Sequence, residues 1–97
     1  MLGQYREAEA QCREALELSR RLNAQQTTAQ LLNTLGIIHY RRGDYPQAQT
    51  VYDEALQLHQ ALGSTDQEAN TLVHLAQTYS ALGDFPRAIE FAGRALE

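Results

Sequence analysis

The chain has 97 residues, 43% hydrophobic and 21% charged, with a mean hydropathy of −0.47 and a formal net charge of −4. A chain this long makes one domain at most, leaves little room for a deep catalytic cavity, and is too apolar for disorder. The acidic balance and eight scattered arginines exclude a phosphate-reading surface, and no apolar run approaches the ~20 residues that span a bilayer.

A first helix is expected from about Gln4 to Leu22. Its acidic residues Glu7, Glu9, Glu14 and Glu17 are spread round the helix and interleaved with Arg6 and Arg13, which implies solvated ion pairs worth a few tenths of a kcal/mol each. The start of the chain lacks a signal peptide's apolar stretch, and the single cysteine, Cys12, has no internal disulfide partner. Both features fit a reducing, cytoplasmic setting.

A second helix, Gln26 to Arg42, is read from Ala29, Leu32, Leu35, Gly36 and His39. A third, Tyr45 to Leu62, carries Ala48, Val51, Tyr52, Ala55, Leu56, His59 and Leu62 at spacings of three and four, the stripe of a helix rather than the alternation of a strand. Two more follow, Asp66 to Leu82 and Phe85 to Glu97, and no segment reads as a strand. Asp44 and Asp84 can cap the helices they precede, Pro46 and Pro86 suit a first turn, and Thr65 with Glu68 has capping-box spacing. Gly43, Gly63 and Gly83 stand where a chain leaving a helix can take positive φ, while Gly36, inside a helix, is expected to admit Ala48 closely.

The segments repeat. Gly3-Gln4-Tyr5-Arg6-Glu7-Ala8, Gly43-Asp44-Tyr45-Pro46-Gln47-Ala48 and Gly83-Asp84-Phe85-Pro86-Arg87-Ala88 share glycine, aromatic and alanine at a period of 40, without a gap. Ala15-Leu16, Ala55-Leu56 and Ala95-Leu96 hold the register, as do Ala29, Leu32 and Leu35 against Ala69, Leu72 and Leu75.

In Leu32, Leu35-Gly36, Ala48, Tyr52 and Ala55, and again in Leu72, Leu75-Ala76, Tyr79, Ala88 and Ala95, the chain resembles the tetratricopeptide repeat family over nearly its whole length. Two positions depart from that pattern: His39 replaces an aromatic, and Ala92 replaces the one matched by Tyr52, so looser packing is expected there. The period of 40, against the usual ~34, resembles in length the long-helix subgroup that includes kinesin light chains. The resemblance implies an all-α solenoid of about five antiparallel helices in one domain, residues 1–97: an orphan second helix (4–22) and hairpins 26–62 and 66–97.

It further implies a non-catalytic module that binds a protein or peptide on a concave face formed by first helices, as a fragment of a larger regulator or adaptor. The corresponding residues are Gln30, Asn33, Thr34, Ile37, Tyr40, Arg41, Asn70, Val73, His74, Gln77 and Ser80. Amides can bond a peptide backbone through donor and acceptor, and Ile37, Tyr40 and Val73 offer apolar contact. The lysine-rich clamp that some members use on a terminal carboxylate is missing, with Arg41 the one substitute. No cofactor or metal is expected: His39, His59 and His74 lack ligand spacing, and Cys12 falls on the core stripe without a catalytic partner. The alternative is self-association into homo-oligomers through ends left open, with Tyr5, Ala8 and Cys12 at one and Phe91, Ala92 and Ala95 at the other.

Overall fold

Five helices run through the computed structural model, which describes residues 2–97, with side chains from Gly3 onward: α1 (Leu2–Arg21), α2 (Gln25–Arg41), α3 (Tyr45–Leu62), α4 (Thr65–Ala81) and α5 (Phe85–Ala95). No strand occurs among the described residues, and the helical bounds lie within about two residues of those read from spacing.

The local chemistry follows the turn residues, with corrections. Pro46 and Pro86 sit in first turns, and the Asp84 carboxylate accepts the Arg87 amide at 3.3 Å, whereas Asp44 caps without a side-chain bond. Thr65 lies inside α4; Ser64 holds the cap position without a side-chain bond, so no capping box forms. Gly63 leaves α3 at φ 68°, and at the same register position Asn23 leaves α1 at φ 56°. Asparagine tolerates this left-handed region better than most residues, so the turn survives without glycine.

Each helix packs on the next, and the two ranks then differ. Cα atoms of α2 and α4 come within 8 Å, while those of α1 and α3, or of α3 and α5, do not. The first helices α2 and α4 therefore form the inside of the curve and α1, α3 and α5 the outside.

The core has two parts that share α3. Val51 and Ala55 join Cys12, Leu16, Leu32, Leu35 and Ile38; Ala48, Tyr52 and Leu56 join Leu72, Leu75 and Tyr79. A second helix thus carries two apolar stripes, one for its own first helix and one for the first helix that follows. Gly36 serves this packing too: the atoms nearest the space over its Cα belong to the Tyr52 ring. A Cβ added there would stand 2.6 Å from Tyr52 Cδ1.

The two stripes also correct the expected ends. Tyr5, Ala8 and Cys12 face α2, which is present. Cys12 is buried, its thiol donating to the Leu31 carbonyl at 3.3 Å, and Tyr5 and Ala8 pack partly against the same cluster. The uncovered stripe of α1 instead holds Leu18 and Leu22; Leu18 is exposed while its register mate Leu58 is packed. At the other end Phe91 and Ala95 lean on the second cluster, with the Phe91 and Tyr79 rings 5.1 Å apart. Of the six residues, Ala92 alone is exposed, beside Phe85 (61% exposed) and Ile89 (74%).

Candidate functional site

The inner rank arranges its side chains by helical turn. Ile37, Tyr40 and Arg41 from α2 meet His74 and Gln77 from α4 around a cavity of about 260 Å³, and Tyr52 of α3 forms its floor. Five of the residues expected on the concave face thus converge. Tyr52 is held by Gly36 behind it and by the His74 ring, stacked 5.3 Å away at an interplanar angle of 6°. Tyr40 meets Tyr45 edge-on at 5.2 Å.

The remaining expected residues are placed otherwise. Asn33 is half-buried, and the Thr71 hydroxyl bonds its amide oxygen at 3.4 Å, which ties α2 to α4. Thr34 turns its hydroxyl back to the Gln30 carbonyl at 3.1 Å. Gln30, Thr34, Asn70 and Val73 are exposed and stand apart from the cavity. Ser80 lines a larger groove of about 550 Å³ with Tyr40, Ala76, Gln77, Ala81, Phe85, Ala88, Ile89 and Ala92. The spacing of first-helix positions did not reach Tyr52, Phe85 or Ile89, which come from second helices.

The electrostatics are simple. Burial pushes the His74 imidazole down, against an opposing hydrogen bond with Gln77, so the stacked ring is neutral near pH 7. Burial lifts the Tyr52 phenol to about 12, with Tyr40 adding and Arg41 opposing. Arg41 is exposed and makes no ion pair among the described residues, whereas Arg13, Arg20, Arg21, Arg42 and Arg87 each face a carboxylate. The expected pairing on α1 occurs as Arg13–Glu9 and Arg21–Glu17, and Glu9 also meets Arg42 of the following turn.

Burial raises the Cys12 thiol, keeping it protonated and a weak nucleophile. Among the described residues no three His, Cys, Asp or Glu side chains converge as a metal site. No helix there is long and apolar enough to cross a membrane.

The tetratricopeptide repeat family pattern matches residues 1–52 and again 27–97. The chain belongs to the tetratricopeptide repeat family. Tetratricopeptide repeats generally mediate protein–protein interaction. Among solved structures this repeat chain is similar to BtubC (BKLC) from P. vanneervenii, at 32% identity and a TM-score of 0.90, covering 97% of this chain and 39% of that one. It also resembles the TPR domain of Arabidopsis FLU, at 21% identity and a TM-score of 0.85, over 95% of this chain and 77% of that domain, a likeness of fold alone. No curated protein matches the sequence. The tetratricopeptide repeats described here therefore span well under half the length of BtubC.

Proposed function

We propose that the chain is a non-catalytic protein-binding module that takes a partner's peptide along the α2/α4 face, as part of a larger cytoplasmic regulator or adaptor. The observation that carries this reading is the convergence of Ile37, Tyr40, Arg41, His74 and Gln77 from two successive first helices on one cavity, floored by a fixed aromatic ring. Amide, guanidinium and ring surfaces set side by side can bond a peptide backbone while covering its apolar side chains.

Replacing Gln77, Arg41 or Asn70 with alanine is expected to weaken binding of a partner captured from the native lysate by about 1 kcal/mol or more in at least one case. Thermal stability should hold nearly constant, because all three are exposed. Calorimetric titration of each variant is the measurement. Binding that ignores these changes and responds to outer-rank substitutions would overturn the assignment.

Self-association is the second reading, supported by the exposed Phe85, Ile89 and Leu96 at one end and Leu18 and Leu22 at the other. Light scattering at tens of micromolar tests it: a mass above 10.9 kDa that Ile89→Glu returns to monomer is the expected signature.

A further inference from the structure

We infer that the junction of α1 with α2 is an acid-operated latch, in which proton uptake by His39, beneath the ion pairs of Glu9, releases α1 while α2 to α5 stay folded. The latch is independent of any partner that the α2/α4 face binds.

His39 is 3% exposed, and neither of its ring nitrogens has a hydrogen-bond partner among the described residues. Four charged groups face it. Glu9 and Arg13 come from α1, Arg42 and Asp44 from the turn between α2 and α3, and α3 itself adds none to the set. Glu9 is the tie. Its carboxylate accepts Arg13 at 3.0 Å and also meets Arg42, which fastens α1 to the end of α2. At the period of 40 the next junction carries Gln49, Tyr79 and Leu82 in place of Glu9, His39 and Arg42, so neither the imidazole nor the tie recurs there.

A proton on His39 adds a third cation beside Arg13 and Arg42, while Glu9 already serves both arginines. A buried imidazolium without a partner is costly until water reaches it. Connectivity decides where water enters: among the helices α1 packs against α2 alone, so His39 is hydrated by moving one helix. His59, equally buried and unpartnered, sits on α3 facing Glu68 of α4, and hydrating it parts the cluster of Tyr52, Leu72 and Leu75 in the middle of the stack. Therefore α1 leaves first. Its departure uncovers Cys12, whose thiol in the closed form bonds the Leu31 carbonyl. Burial holds the His39 imidazole below its ordinary value of 6.5, so the closed form is favoured above that pH and loses ground as the medium acidifies.

Labelling Cys12 with a pyridyl disulfide, a reagent that stays reactive in acid, reads the open form. Each rate is divided by that of the urea-unfolded chain at the same pH. From about pH 7.5 to 5.5 the normalised rate should rise about threefold or more, about tenfold being the limit for one proton. At every pH it should exceed the opening that frees the slowest-exchanging amides of α4, measured by hydrogen exchange. His39→Tyr, which copies Tyr79, and His39→Leu should both flatten the rise, with native helicity checked by circular dichroism; His59→Leu should leave it in place. Labelling that only keeps pace with the α4 amides and loses steepness in His59→Leu overturns the latch and assigns the acid response to the whole stack. A rate that does not change with pH, or a rise that survives in a folded His39 variant, overturns it as well.

Discussion

Tyr52→Ala is expected to lower the unfolding free energy by about 3–5 kcal/mol, the range for removing a buried aromatic ring. That is a large part of the 5–15 kcal/mol typical of a domain. The ring is 1% exposed, lies between Gly36 and His74, and belongs to the cluster that joins α3 to α4, so its loss opens a void between repeats. Gly36→Ala should also destabilise, because its new Cβ meets the same ring at 2.6 Å. Overpacking costs about 1–3 kcal/mol, against roughly 1 kcal/mol gained in helix propensity. Once the ring is gone, however, the Gly36→Ala methyl occupies empty space. The double variant Gly36→Ala/Tyr52→Ala, which copies the Ala76–Ala92 arrangement of the next repeat, should therefore lose less than the two single losses added, by about 1 kcal/mol or more. Urea denaturation of the four proteins measures the cycle, and strict additivity would show that ring and glycine do not meet.

Stability is also expected to fall as pH drops below about 6.5, before the carboxylates begin to titrate. His39 is 3% exposed and His59 0%, and none of their ring nitrogens has a partner among the described residues. Burial pushes both imidazoles below their ordinary value of 6.5; Glu68 opposes this at His59, and Glu9 and Asp44 oppose it at His39, where Arg13 and Arg42 reinforce it. With folded-state values depressed, the unfolded chain binds more protons as the medium acidifies. The stability is thus fully present above 6.5 and is lost towards the folded-state values. In that window each histidine removes up to about 1.4 kcal/mol per pH unit. His59→Leu, similar in volume and free of polar atoms, should raise stability near neutrality by about 1 kcal/mol and flatten the slope. Thermal melts from pH 7.5 to 5.5 read both effects, and a slope unchanged by His59→Leu would place the acid sensitivity elsewhere.

The stack was legible in the sequence because two signals coincide: apolar residues at spacings of three and four, and Gly-Asp-aromatic-Pro punctuation at a fixed period. Helix ends followed from Gly63, Pro46 and Pro86, and the left-handed exit at Asn23 was visible only through its alignment with Gly63. What the pattern could not assign was direction. On a second helix both Tyr52 and Val51 look like core, and one residue separates the stripe that meets the following helix from the stripe that meets the preceding one. On spacing alone Cys12 therefore reads as part of an open end although α2 covers it, and Phe91 and Ala95 read the same way although α4 supports them. The convergence of Ile37, Tyr40, Arg41, His74 and Gln77 could be anticipated from first-helix register. The Tyr52 floor could not, since it arrives from another helix. The exchanges of Tyr40 for Ser80 and Tyr52 for Ala92 were readable as letters. Their volume was not, because it depends on which side chains close round it.

The unequal spacing of the two ranks gives the stack a mechanical polarity. Along the inner rank α2 and α4 touch and are fastened by Asn33 and Thr71, so that line resists extension and acts as the neutral axis of bending. Between α1 and α3 the outer rank is bridged by the exposed Arg20–Glu54 pair at 2.7 Å, a tie that salt screens and that stores little energy. Thermal flexing is consequently taken up on the outside, as a fan opens at its rim, while the inner α2/α4 face keeps its spacing from repeat to repeat.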